Sequence, residues 1–523
     1  MLRYSYISGS PAPGNGGMIG IYTHHSVHSH KIFKNPKKKL LEIKMTPQLN
    51  IETLHPQTRM LSDEQIQAIH HTSLDILSQT GIVMKNKRAE ALLLDAGARQ
   101  QGERIKIPAH LVQNALLAAP SRIPMHTRTG LLSMPLESGK VFFGTGSDCN
   151  FTIDLETGQR RPVLLKDVQA FARLCDGLEN IDFVMSMGVS SDVPPMHHYI
   201  HGFVAMLSGT VKPIVFTANG LNDMQAIYQI ACAVAGGADN LLEKPFLLHY
   251  AEPISPLLFS GESVDKLLFC AEKGLPVAYI PSPNTGGGGP ITLAGALALG
   301  NAETLAGLVL TQLVRPGTPF LYGMNTAALD MKTTIVSYGA PEWPAGMMAW
   351  TDMGRWYKLP VWGVSGATDS KLVDAQAAIE ATITIMSAFL CRCNLNHDVG
   401  YIEYGSTSSM EMVVMADEII GQVRYIMDGV EVSERTLARE AIASARPGSG
   451  FLAAEHTLSN WKWAQWKPKL IDRSRYDEWQ HAGSKDLSQR ANLRARKILT
   501  EHQPEPLPEA VEVEIQKILD GLK

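Results

Sequence analysis

The chain has 523 residues, 45% hydrophobic and 19% charged, a composition suited to a globular enzyme that buries one or two cores. A net charge of −4 gives no reason to expect nucleic acid or an acidic membrane as a partner. Six scattered cysteines suit reduced thiols in a cytoplasm better than a disulfide framework, and no apolar run reads as a bilayer span.

Residues 1–45 carry seven Lys/Arg against one acid, Glu42, together with His24, His25, His28 and His30. They show no periodicity that would bury a core. The segment therefore reads as a disordered tail, or as sequence translated from a start ahead of Met45.

Residues 46–139 read as a helical N-terminal cap. Ser62 and Gln65 form a capping box, Ile66, Ile69, Leu74 and Leu77 make the buried stripe, and Gly81 ends the helix. A second helix stops at Gly97, and Pro108 opens a third.

From Lys140 to Gly405 the pattern alternates between strand and helix. Candidate strands are 141–147, 183–190, 212–219, 245–252, 276–283, 319–325, 360–366 and 395–404, each followed by a helical segment. Eight βα repeats in about 265 residues match the ~250 of a (β/α)8 TIM barrel. A doubly wound sheet is the alternative, but no nucleotide fingerprint follows the first strand. The first repeat carries an excursion that reads as a hairpin with Glu156-Thr157-Gly158 at its tip. The helix over 293–314 is apolar nearly all round, which predicts cover on several faces and a homo-oligomer. Residues 406–523 read as a helical C-terminal extension packed on the barrel. Its Trp461, Trp463, Trp466 and Trp479 are expected to fasten it there.

No P-loop, dinucleotide fingerprint, HExxH, CxxC or GxSxG motif is present. Gly286 to Gly289 read as a flexible substrate loop, and His197/His201 and Cys391/Cys393 read as packing rather than metal ligands. Polar groups gather instead at the strand ends, where barrel enzymes place their chemistry. They include Asp148, Glu252, Asn284, Asn325, Asp330, Ser365, Asp369, Lys371 and Glu403. Tyr250, Tyr279, Tyr322, Tyr338, Trp343, Trp362, Tyr401 and Tyr404 fall near the same rim. Aromatic walls with a few carboxylates suit a cation. The rim offers no evident nucleophile, metal or redox cofactor of its own.

Several stretches carry a family resemblance: 61–82, 107–122, FGTG at 143–146, 174–183, EPISPL at 252–257, the block 290–323, GAPEW at 339–343, 409–419 and 470–487. In these the chain resembles the trimethylamine:corrinoid methyltransferase family. The resemblance implies a TIM barrel that passes a methyl group from a methylated amine to the Co(I) corrinoid of a small partner protein. In the methanogen enzymes a pyrrolysine sits in the loop after the seventh strand; here Ala367 occupies that position within Ser365–Lys371. The resemblance is thus to the non-pyrrolysine branch, for which quaternary amines such as glycine betaine are substrates. From position and residue type, Asp369, Glu403, Asp330 and Glu252 are the candidates for charge and orientation. Tyr322, Trp362, Tyr401 and Tyr404 are the candidates for a cation cage. Asn325 and Lys371 are the candidates for the donor's polar end. A betaine-binding protein and a corrinoid-independent lyase or hydrolase are the rival readings.

Overall fold

The computed structural model describes residues 53–522, so the expectations for residues 1–45 lie outside the described residues. Eight short parallel strand positions close into a ring. The third to sixth strands, Ile214–Phe216, Leu247–Ala251, Val277–Tyr279 and Phe320–Leu321, pair in sequence. The seventh, Trp362–Val364, pairs with the eighth, Leu395–Val399, which pairs with the first, Phe142–Thr145. Single parallel bridges complete the circle. Gly144 to Phe183 and Val184 to Ile214 insert the second position, 183–184, and Tyr322 to Val361 joins the sixth to the seventh. A closed ring has no free edge, and this one is a (β/α)8 barrel.

The lumen is filled by Phe183, Met185, Val215, Leu248, Ala278, Ile280, Leu321, Trp362 and Leu395. Its floor comes from outside the ring. An antiparallel hairpin, Ile123–His126 with Leu132–Leu136, sends Ile123, Met125, Met134 and Leu136 into the same cluster. Residues 46–139 are therefore not helical alone. They also hold three strands, Ile82–Met84, Arg99–Gln101 and Arg104–Lys106, the first of which pairs with Leu258–Phe259.

The helix Leu293–Val314 is long and apolar enough to cross a membrane by length and composition, but 83% of its most apolar 18-residue stretch is buried inside the body. The cap helices Asp63–Asp75, Lys87–Asp95 and Ala109–Ala118 and the neighbouring barrel helices cover it. The faces expected to need a second subunit are thus covered within the chain.

This helix buries one acid. Glu303 Oε1 accepts the Leu257 N–H at 2.6 Å, and Oε2 accepts the Ser255 hydroxyl at 2.7 Å. Burial pushes its carboxyl up from 4.5 to about 7. Because the folded value is raised, the stability linked to it is full below the unfolded value and is lost as pH climbs towards 7. Glu303→Gln should flatten this dependence and gain roughly 2–4 kcal/mol over the parent at pH 8. Thermal melts across pH 4.5–8 check it, and parallel profiles for the two proteins would refute it.

The excursion after the first strand is the expected hairpin, Phe151–Ile153 with Arg160–Pro162. Thr407–Ser408 joins it in parallel and Tyr401–Ile402 joins that in turn, making a four-stranded sheet. The extension opens with the helix Met410–Met427, which packs on Ala375–Cys391 and on Leu487–Glu501.

Candidate active site

The eighth strand builds one side of the site by ending early. The sequence pattern suggests a strand over 395–404, but the register slips between Asn396 and Val399. Asp398 has φ 79° and Gly400 has φ 101°, so the chain bends and Tyr401–Ile402 leaves for the second sheet. Such irregularities re-aim side chains at barrel rims. Here His397 Nδ1 comes to 2.6 Å from Asp398 Oδ1.

The His397 ring centroid lies 4.4 Å from Trp362 and 6.0 Å from Tyr250, and Tyr250 stacks on Trp362 at 5.0 Å and 25°. The Tyr250 hydroxyl donates to Glu252 Oε1, and the Ser282 hydroxyl donates to Oε2 at 3.4 Å. Across from Glu252, Asp148 accepts from the Ser147 and Tyr199 hydroxyls at 3.0 and 3.1 Å. Asp148 and Glu252 are both exposed to solvent, at the ends of the first and fourth strands. They therefore line the open mouth above the packed lumen, a chamber open to solvent. The walls of this mouth desolvate both carboxyls and push them above their usual range, and Asp148 raises Glu252 further.

Tyr401 and Tyr338 supply the remaining aromatic wall. The Tyr401 hydroxyl donates to the Ser147 carbonyl. Gly146 lets the ring in: a Cβ there would sit 2.3 Å from the Tyr401 ring and 2.6 Å from Asp398 Oδ1. Tyr338 stacks on Trp343 at 4.4 Å and 10°, and Trp343 Nε1–H donates to Asn325 Oδ1 at 2.9 Å. Burial, then the Asp398 and Glu252 carboxylates, pushes the Tyr338 hydroxyl up and keeps it protonated. The chamber thus combines rings with carboxylates, an arrangement that attracts and desolvates a cation.

The family model for trimethylamine methyltransferase (MTTB) matches residues 34–521. The chain belongs to the trimethylamine methyltransferase family. A trimethylamine methyltransferase of Desulfitobacterium hafniense is 32% identical over 461 residues, 88% of this chain and 93% of that one. A glycine betaine methyltransferase from another strain of the same species is 31% identical over 469 residues, 89% of this chain and 97% of that one. The crystal structure of the Methanosarcina barkeri monomethylamine methyltransferase superposes with a TM-score of 0.48 at 10% identity, covering 89% of each chain.

Within this methyltransferase the expected site residues fall into three groups. Glu252, Trp362, Tyr401 and Asn325 meet in or directly behind the chamber wall. Asp369, Ala367, Lys371, Glu403 and Tyr404 sit in the loops that hold that wall. Asp369 Oδ1 accepts the Tyr338 N–H at 2.8 Å and Oδ2 accepts the Ser337 hydroxyl, so it fixes the Tyr338 ring. Ala367 is fully buried between Gly366, whose N–H donates to Thr384, and Thr368, whose N–H donates to the Tyr401 carbonyl. Lys371 Nζ donates to the Asp369 carbonyl and lies 5.8 Å from the Tyr404 ring. Glu403 pairs with Arg160 at 2.8 Å, tying the two sides of the second sheet.

Tyr322 and Asp330 are placed elsewhere. The Tyr322 hydroxyl donates to Asn301 Oδ1 at 2.9 Å, in the helix layer. Leu321 faces the lumen, so strand alternation turns its neighbour outward. Asp330 is exposed and caps the turn of the hairpin Ala328–Leu329 with Val336–Ser337, accepting the N–H groups of Lys332 and Thr333. The glycine run is a folded turn rather than a loose loop. Gly286 donates to the Gly289 carbonyl, and Thr285 bridges to Ala328. Asp398 and His397 were missed; the Asp-Val-Gly at the end of an apolar strand was the available signal.

Asp369→Ala should raise the KM for the methyl donor several-fold with a smaller change in kcat, because Tyr338 loses its anchor and an N–H loses its acceptor. Asp369→Asn keeps one acceptor and should recover most of the loss. Steady-state kinetics of the three proteins measure this; equal KM values would remove Asp369 from the site.

Proposed function

We propose that this chain transfers a methyl group from a quaternary amine of the glycine betaine class to the corrinoid of a partner protein. The observation that carries the reading is the chamber, where Tyr250 and Tyr338, backed by the buried Trp362 and Tyr401, lie beside the Glu252 and Asp148 carboxylates with Asp398 behind them. The rings hold a cationic ammonium by cation–π attraction of ~0.5–2 kcal/mol each. Glu252 and Asp398 supply the compensating charge, and Asn325 and Lys371 remain candidates for the donor's carboxylate. The Co(I) centre of the corrinoid supplies the nucleophile, so the barrel needs only to position and desolvate the donor.

Rim loops also support a partner at the mouth. Ile254, Ile291 and Met331, from the loops after the fourth, fifth and sixth strands, are exposed large apolar residues. Exposed apolar groups of this kind mark interaction surfaces. Six cysteines without disulfides agree with a reducing, cytoplasmic setting.

The test supplies glycine betaine with Co(I) cobalamin or a corrinoid protein and follows methyl transfer by absorbance. Transfer that requires the chain supports the reading. Tight binding of quaternary amines without transfer in the presence of a suitable corrinoid protein would replace it with a binding-protein role.

A further inference from the structure

Glu303 is wholly buried on the helix Leu293–Val314, in the layer outside the strands. Its two hydrogen-bond partners, the Ser255 hydroxyl at 2.7 Å and the Leu257 N–H at 2.6 Å, belong to the turn that follows Glu252 at the end of the fourth strand. This turn, residues 253–258, is closed on itself. The Ile254 N–H donates to the Leu258 carbonyl at 2.8 Å, and the Leu258 N–H returns the bond at 3.0 Å. Its near end is held by Ser263, whose hydroxyl donates to the Glu252 carbonyl and lies 3.0 Å from the Tyr279 hydroxyl. Its far end is held by the Glu303 side chain.

Leu257 stands at φ 60°, a left-handed conformation that such a residue keeps only where its surroundings over-determine it. The Glu303 carboxylate supplies that constraint by taking the Leu257 N–H. Ser255 in turn backs the glycine run: a Cβ on Gly288 would sit 3.5 Å from Ser255 Cβ and 3.2 Å from the Ser282 carbonyl. The Ser282 hydroxyl is the one that donates to Glu252 Oε2. One buried carboxylate thus stands behind both turns that frame Glu252. Burying an acid here costs desolvation free energy that an amide would avoid. The Nε2 of a glutamine, however, cannot accept the Ser255 hydroxyl, whereas a carboxylate takes one donor on each oxygen.

We propose that Glu303 is a positioning residue for donor binding: through Ser255 and Leu257 it fixes the 253–258 turn and so sets the Glu252 carboxylate against the methyl donor. This role rests on Glu252 being the counter-charge of a quaternary amine.

Calorimetric titration of the full chain with glycine betaine, together with KM and kcat for transfer to Co(I) cobalamin, tests it. Glu303→Ala should weaken donor affinity and raise KM by about tenfold with kcat within about twofold, because no reacting atom is touched. Ser255→Ala, which leaves the acid and the Leu257 bond in place, should weaken affinity about threefold, and Glu303→Gln should recover most of the loss seen with alanine. The deciding measurement is the cycle with Glu252→Gln. Because Glu303 acts through Glu252, adding Glu303→Ala to Glu252→Gln should weaken affinity by less than about twofold more. Full additivity marks a role in the fold alone and overturns the inference, as does unchanged affinity in a folded Glu303→Ala protein. Where Glu303→Ala does not fold, the same cycle run with Ser255→Ala decides. A parent chain that binds neither glycine betaine nor tetramethylammonium ends the donor reading and this role with it. A parent that binds its donor but gives an additive cycle ends this role alone.

Discussion

Replacing Glu252 by glutamine is expected to raise the KM for a quaternary amine by about 10–100-fold, on the order of 1.5–3 kcal/mol, while leaving the protein at least as stable. Both halves follow from one fact. The walls of the barrel mouth desolvate Glu252 and raise its pKa above the ordinary carboxylate range, with Asp148 adding to the rise. The charged form is therefore unfavourable in the free protein and is favoured once a cation fills the chamber. Glutamine keeps the shape, accepts from the Tyr250 hydroxyl, and removes the charge. The sign of the pH dependence follows. Below the Glu252 pKa the carboxyl is neutral and contributes no charge to the donor. Affinity should rise as pH increases through that value, and the Glu252→Gln profile should lose that step. Donor titrations at several pH values, with melts of both proteins, check this. Unchanged affinity and an unchanged pH profile would remove Glu252 from the donor site.

The barrel was readable because its signal is redundant. Eight apolar runs alternate with eight helical ones, and no single error of boundary changes the count. The parallel ring closes through strands as short as two residues and through single bridges, yet each stood within an expected run. The site was less readable because it depends on parity and on breaks. Leu321 and Tyr322 are adjacent, and only the strand register says which one enters the lumen. Trp362 took the inward position, while Tyr322 went to the helix layer. At the eighth strand a continuous 395–404 would have pointed Asp398 by simple alternation. The bend at Asp398 and Gly400 set it beside Gly146 and Tyr401 instead. Asp330 had the right residue type at the right strand end, but its loop folds back as a hairpin and leaves it in water. In the extension, tryptophan content suggested packing on the barrel, whereas Trp461 and Trp463 stay 44% and 45% exposed and pack locally against Lys467 and Arg435.

The largest expected effect is on the choice of donor: turnover with glycine betaine or another quaternary amine, and none measurable with trimethylamine. A tertiary amine that loses a methyl group directly must expel an amide anion, a very poor leaving group. A quaternary amine leaves as a neutral tertiary amine. Ala367, at the position where the resemblance places pyrrolysine, presents no electrophile with which a tertiary amine could form a cationic adduct. It is fully buried, in a loop fixed by hydrogen bonds to Thr384 and to the Tyr401 backbone. What remains is positioning and desolvation of a donor that is already cationic, and the rings and carboxylates of the chamber serve that. Rates with Co(I) and each donor in parallel make the comparison, with Trp362→Phe as an internal control that keeps an aromatic face over the chamber floor. Trimethylamine turning over as fast as any quaternary donor would refute the argument from Ala367. A quaternary donor that is bound and turned over with equal efficiency after Glu252→Gln would place its site outside the chamber.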